Sequence, residues 1–356
     1  MGLPSIDITF RTLGMTAIQR SQKGIVAVIL EDTASGVAGA HIMTSVTDIP
    51  AALGAENKAY LERAFTGYVN PPRKVIAYVV DGTEKTLTDA LAYFATQKFD
   101  YLVGTPDTDS TDAAAIKSWV ASERLNKHTV KAVLPNITAD SEAIINFTTD
   151  GIKAGAASIT TAAFCSRIAG LIAGTPMTIS CTYAPLPEIS DVARLSKDDL
   201  DDAIDAGKFV LFHDGEKVKV GRGVNSLTTT TDGKGDAFKK IKIVEAMDMI
   251  QNDIRMTADD NYIGKYPNSY DNKCLLIMAI KGYLEELERS GILETGKSVV
   301  ELDLEAQENY LKSKGIDTSN MSEQEIKEAN TDAKVFLRAS VSILDAIEDI
   351  VLPITI

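Results

Sequence analysis

The chain has 356 residues, 45% of them hydrophobic and 24% charged, an ordinary globular composition that argues against wholesale disorder. Lys plus Arg number 36 against 50 Asp plus Glu, so the formal net charge is −14 and the chain is a poor candidate for general phosphate-backbone binding. No apolar run approaches ~18 residues, so no transmembrane helix is expected. At ~150 residues per domain the length implies two or three domains, whose cores need no metal or disulfide staple.

The start, Met1-Gly2-Leu3-Pro4, lacks the basic region and long apolar core of a signal peptide. Cys165, Cys181 and Cys274 are odd in number and far apart, so they form neither a disulfide framework nor a zinc signature. A reducing cytosol during folding is the simplest reading.

The first predicted element is a strand: Ile6, Ile8 and Phe10 alternate with Asp7, Thr9 and Arg11, a period of two. Residues 25–30 are continuously apolar, as are 75–80 and, less purely, 101–103 and 131–134. Such short runs fit strands buried on both faces. Between them, 51–65, 87–99 and 112–126 carry helical spacing, with Leu87, Leu91 and Phe94 on one face and Ile116, Trp119 and Val120 on another. Strand–helix alternation from about 21 to 150 predicts a layered α/β domain with a largely parallel sheet.

Residues 160–174 are small and apolar and read as a closely packed helix ending at Gly174, with Pro176 beyond it. Ser196 and Asp199 resemble a capping box, and Gly207 closes that short helix. Residues 209–212 and 217–220 around Asp214-Gly215 signal a hairpin. The polar stretch 228–235 is the best boundary candidate. Two strong helices follow, one on Ile243, Met247, Ile250 and Ile254, the other on Leu276, Ile280, Tyr283, Leu284 and Leu287, ending at Ser290-Gly291. A short helical pattern covers 304–314, and 318–330 reads as a polar loop.

The end of the chain alternates again. Val335, Leu337, Ala339, Val341 and Ile343 share one face; after an acidic break at 345–349 come Ile350, Leu352, Ile354 and Ile356. Most chain ends are polar and frayed, whereas an apolar, strand-patterned terminus is an open edge that must be paired. It pairs either within its own subunit or with a neighbouring chain; the pattern leaves both open.

No motif supports an enzyme. Gly291 to Ser298 matches the phosphate-loop spacing, but a helix precedes it and a strand-like Val299-Val300-Glu301-Leu302 follows, the reverse of what cradles phosphate. Gly221-Arg-Gly223 lacks the third glycine of a dinucleotide fingerprint. His41, His128 and His213 sit at element edges, and no Gly-x-Ser-x-Gly elbow occurs. The acidic stretch 188–205 lacks the glycine and spacing of a calcium loop and reads as a solvated or partner-facing surface.

Several stretches, in this order, carry a likeness: Gly2-Leu-Pro-Ser-Ile-Asp-Ile-Thr-Phe10, residues 19–30, Ser166-Arg-Ile-Ala-Gly-Leu-Ile-Ala-Gly-Thr-Pro176, Gly223-Val-Asn-Ser-Leu-Thr-Thr229, residues 262–271 and residues 335–349. Through them the chain resembles the tail sheath proteins of contractile-tailed bacteriophages and phage tail-like particles, in particular the short type of Gram-positive defective prophages. The resemblance implies a layered α/β domain of subtilisin-like topology, without a triad, followed by an α+β C-terminal domain and flanked by strand-forming terminal arms. The expected divisions are 1–20 for the N-terminal arm, 21–185 and 186–330 for the domains, and 331–356 for the C-terminal arm.

It further implies a structural role. Subunits stack as hexameric rings around a tail tube, arms complete a shared sheet with neighbours, and contraction without ATP drives the tube through the target envelope. Ile6, Ile8 and Phe10 would centre one arm; Val335, Leu337, Ala339, Val341, Ile343, Ile350, Leu352, Ile354 and Ile356 would form the other. Segments 11–20 and 318–334 would act as hinges. The expected partners are further copies of the chain, the tail tube, baseplate and tail terminator proteins, with no nucleic acid, membrane insertion, metal or cofactor. Assembly is expected in the bacterial host cytoplasm, before the chain joins a virion tail or a released particle. The alternatives are another self-assembling tail component and a nucleotide-binding α/β enzyme using Gly291 to Ser298.

Overall fold

A computed structural model describes residues 17–20 and 22–355. They divide into two units. The larger comprises Gln22–Asp248 and the chain end from Asp345; the smaller comprises Met249–Leu344 with residues 17–20.

In the larger unit the apolar runs are strands. β1 (Ile25–Glu31), β2 (Gly39–Met43), α1 (Ala55–Thr66), β3 (Lys74–Val80), α2 (Leu87–Phe94), β4 (Tyr101–Val103), α3 (Ser110–Leu125), β5 (Lys131–Pro135) and β6 (Ile144–Phe147) follow in order. A small hairpin, β7 (Ile152–Ala154) and β8 (Ala157–Ile159), leads to α4 (Thr161–Ala173), α5 (Lys197–Asp205) and β9 (Lys208–Phe209). The main sheet has the order β2-β3-β1-β4-β5-β6-β9. Only β2 runs antiparallel to its neighbour; all other pairings are parallel.

Period-two exposure of side chains to opposite faces explains why β1 has no polar residue before Glu31. Val26, Val28 and Leu30 pack with Leu61, Ile168 and Leu171 on one face; Ile25, Ala27 and Ile29 pack with Leu91, Phe94 and Ile116 on the other. Each fully buried aliphatic side chain contributes about 1.5–3 kcal/mol relative to exposure. The small residues of α4 serve a close approach: a Cβ on Gly170 would lie 1.9 Å from the Ala64 carbonyl oxygen of α1. The predicted helix 87–99 stops at Phe94, where the chain turns, yet Phe99 remains buried and stacks near Phe94 and Trp119. Capping boxes at Thr86/Asp89 and Ser196/Asp199 start α2 and α5.

The hairpin β10 (Leu211–His213) and β11 (Val218–Val220) turns at Asp214-Gly215, with Gly215 at φ 107°. The predicted first strand of that hairpin is divided: Phe209 pairs in register with Phe147 of the main sheet and only Leu211 onward pairs with β11. Residues 186–248 fall in the larger unit together with 22–185.

A buried ionic cluster ties the start of α6 (Ile241–Asn261) to the sheet. Lys131 Nζ lies 2.9 Å from Asp248 and 3.4 Å from Glu245; Lys23 lies 2.7 Å from Glu245; Arg124 reaches Asp248 through two 3.1 Å bonds; and the Tyr101 hydroxyl donates to Glu245. Burial works to raise the Glu245 carboxyl, and the Lys131 and Lys23 charges overcome it and bring its pKa to about 2.

The smaller unit contains the rest of α6, then α7 (Tyr270–Arg289), β12 (Val299–Leu302), α8 (Leu304–Ser313), α9 (Glu323–Glu328) and β13 (Leu337–Ser340). Its core holds Ile280, Tyr283, Leu284, Leu287, Ile292, Leu293 and Leu311. The predicted loop 318–330 contains α9, started by a Ser322/Glu325 capping box; a six-residue helix with one buried apolar residue, Ile326, is too short to show a period.

Candidate assembly interface

The predicted C-terminal arm separates into three stretches with different physics. The first is paired in its own chain. β13 runs antiparallel to β12, with Val300 opposite Ala339 and Leu302 opposite Leu337. The pairing continues past the strand: Glu294 N–H donates to the Ser342 carbonyl and Leu344 N–H to the Ile292 carbonyl, and Leu293 bridges Ile343. Arg338 pairs with Glu301 across the ribbon, and the Phe336 ring packs tilted against Tyr310 with centroids 5.4 Å apart. Val335, Ala339 and Val341 are exposed, while Leu337 and Ile343 are half-buried. Among the described residues this ribbon has two strands only, so each has an outer edge with no strand beside it.

The second stretch, residues 345–349, lies against the larger unit. Glu348 accepts from Ser180 Oγ at 3.1 Å and from Thr182 Oγ1, and its other oxygen sits 3.5 Å from both Arg222 Nε and Lys240 Nζ. Asp349 lies 2.6 Å from Arg222, and Asp345 pairs with Lys240. The bond to Asp349 holds the Arg222 guanidinium above its ordinary value. Gly223 N–H donates to Thr182 Oγ1 at 2.9 Å, and a Cβ there would stand 3.0 Å from Ser180 Oγ and Cys181 Sγ.

The third stretch is exposed. Ile350, Leu352 and Ile354 are 80%, 73% and 78% accessible, and residues 350–355 belong to no strand. Ile6, Ile8, Phe10 and Ile356 lie outside the described residues. The stretch 318–334 is pinned: the Asn268 amide donates to the Asp332 and Lys334 carbonyls, and Thr331 is fully buried. Sequence reasoning missed Glu348 and its cradle. The signal was the acidic break at 345–349 inside an otherwise apolar terminus, and the Arg222-Gly223 pair tested only as a nucleotide motif.

The phosphate-loop spacing resolves differently from a nucleotide site. Gly291 ends α7 with φ 72°, and the Glu288 carboxylate accepts the Gly296 and Ser298 N–H groups at 2.9 and 3.0 Å. The loop's own donors are turned onto a side chain of the preceding helix. The three histidines are held locally: His41 on the Val37 carbonyl, His128 on Glu123 and His213 on the Gly215 N–H. Acidic residues of 188–205 are dispersed, Glu188 to Arg167, Asp191 to Arg194 and Asp201 to Lys197, and no group of metal-ligating side chains occurs among the described residues. No helix among them is long and apolar enough to cross a membrane.

Residues 82–226 match the family described as phage tail sheath protein central domain, and 233–356 match the phage tail sheath C-terminal domain. The tail sheath protein of Clostridium phage phiCD119 is 41% identical over 357 residues, covering 98% of each chain. Among solved structures, the helical sheath of the anti-feeding prophage in its contracted state aligns over 100% of this chain and 99% of that one, with TM-score 0.74 at 16% identity. A sheath tail protein from Listeria innocua aligns over 93% and 97%, with TM-score 0.67 at 17% identity. These two likenesses show the fold, a mixed α/β architecture shared with sheath proteins; the first relative and the matched domains, spanning both units, show that the chain belongs to the phage tail sheath proteins.

Proposed function

We propose that the chain polymerises around a tail tube as stacked hexameric rings linked by strand exchange, and that the stack contracts without ATP to drive the tube through a target cell envelope. One observation carries the reading: residues 350–355 are strand-patterned, apolar and exposed, while among the described residues no further strand lies beside the β12–β13 ribbon. A strand laid on such an edge gains directional main-chain hydrogen bonds worth about 1 kcal/mol each and buries alternate side chains. Residues 350–356 are then the donor and the ribbon of a neighbouring copy the acceptor. The stretch 335–344 is assigned to the acceptor, because its main chain is already paired at home. The N-terminal arm on Ile6, Ile8 and Phe10 supplies a second donor.

The mostly parallel order, with β1 between β3 and β4, supports the subtilisin-like topology for the larger unit. The absence of ATP from the scheme fits a loop whose N–H groups are already taken by Glu288. Contraction then has to come from two alternative packings of the subunits, the second better matched. The tube, baseplate and terminator proteins are the remaining partners, met in the host cytoplasm. The decisive test is deletion of 350–356, with the tube protein present as template. Electron microscopy should show no sheaths, and the melting temperature should match the full chain. Long sheaths from the truncated chain would overturn the donor assignment. Deleting from 335 is a poorer test, since it removes β13 and the docked 345–349 stretch.

A further inference from the structure

Between the paired β13 and the exposed end, five residues, Asp345-Ala-Ile-Glu-Asp349, bring the chain back onto the larger unit. Their anchoring is ionic rather than apolar. Ile347 and Ile350, on either side of Glu348, are 89% and 80% accessible, whereas the Glu348 side chain is 6% accessible. Its Oε1 takes two hydroxyl bonds, and its Oε2 makes no hydrogen bond and is held by the charges of Arg222 and Lys240. The cradle is assembled from three separate places: Ser180 and Thr182 after α4, Arg222 after β11, and Lys240 before α6. A buried acid is costly unless paired, so Glu348 has one seat that suits it.

We infer that Glu348 is the positioning residue of the C-terminal arm: seated in the Ser180, Thr182, Arg222 and Lys240 cradle, it fixes the point from which residues 350–355 leave their own chain, and so sets whether they reach the acceptor of a second copy. The inference rests on the donor assignment proposed above. Six residues extend at most ~20 Å. Freeing the root adds five more residues, nearly doubles the reach, and dilutes the donor over a much larger volume. The held root keeps the effective concentration of donor at the neighbouring edge high and lowers the entropy lost on pairing.

The test compares the full chain, Glu348→Ala, Glu348→Asp, Arg222→Ala and the 350–356 deletion, each mixed with the tube protein. Three quantities are read: melting temperature, backbone hydrogen exchange at 345–349, and sheath mass by sedimentation and microscopy. Glu348→Ala should melt like the full chain, exchange about tenfold faster at 345–349, and form several-fold less sheath. Glu348→Asp should recover part of the sheath, a rescue that a loss of general stability does not produce. Arg222→Ala, on a half-exposed residue, should move exchange and sheath mass in the same direction and decides the matter if Glu348→Ala melts early. Full sheath formation by Glu348→Ala, or unchanged exchange at 345–349, would overturn the inference. If the deletion abolishes sheaths while Glu348→Ala assembles normally, only the role of Glu348 falls; if the deletion itself assembles, the donor assignment falls.

Discussion

β1 and the chain end are written in nearly the same alphabet. Ile25–Glu31 reads IVAVILE, and residues 350–356 read IVLPITI. The first is buried on both faces between helices; the second is bare. Apolar strand chemistry therefore does not decide burial. What decides it is whether neighbours exist on both flanks and both faces. β1 has β3 and β4 beside it and helices above and below; among the described residues no strand lies beside the terminus. The structural investment in one is internal stability, and in the other, on the donor assignment proposed above, the capacity to bind.

That contrast can be broken from either side. Lys131→Met should have the largest effect on the body, a loss of about 3–5 kcal/mol in urea unfolding, because it leaves Glu245 and Asp248 buried beside fewer cations. Gly170→Val should cost about 3 kcal/mol by the same measure, as the added side chain drives α4 off the Ala64 carbonyl. Acid should sharpen the picture. Glu245 is ionised in the folded chain down to pH about 2 but protonates near 4.5 when unfolded. Its contribution is thus present above 4.5 and is lost as pH falls from there through about 2. The unfolding free-energy difference between the full chain and Glu245→Gln should shrink over that window, and a constant difference from pH 6 to 2.5 would sink the assignment. Leu352→Asp should change unfolding free energy by no more than about 0.5 kcal/mol while sheath formation with the tube protein collapses. Equal damage to folding and assembly would mean the end is part of the body.

The same contrast explains what the sequence could disclose. Strands buried on both faces announce themselves as short apolar runs, so β1, β3, β4 and β5 were legible from those runs. Helices α4 and α7 were legible because their periods are long and their ends carry Gly174 and Gly291. The divided hairpin was not, because Phe209 and Leu211 have the same character and only tertiary pairing sends them to different sheets. α9 was too short for any period. The two halves of the terminal alternation looked alike, yet one lies against β12 and the other pairs with no strand among the described residues; local pattern holds no information about a partner 39 residues upstream, such as Val300 opposite Ala339. The Glu348 cradle needed three segments far from it in sequence to meet, which no spacing rule records.

The route of the chain also has a consequence in time. The larger unit is built from Gln22–Asp248 and completed by a segment starting at Asp345, with the whole of Met249–Leu344 made in between. At ordinary elongation rates that interval is roughly 5–20 s, long enough for the first part to fold before its last piece emerges from the ribosome. The exposed residues 350–355 are synthesised after every helix and strand of both units. The C-terminal donor proposed above therefore cannot pair with a neighbour before the body has been made, whereas the N-terminal stretch on Ile6, Ile8 and Phe10 emerges first.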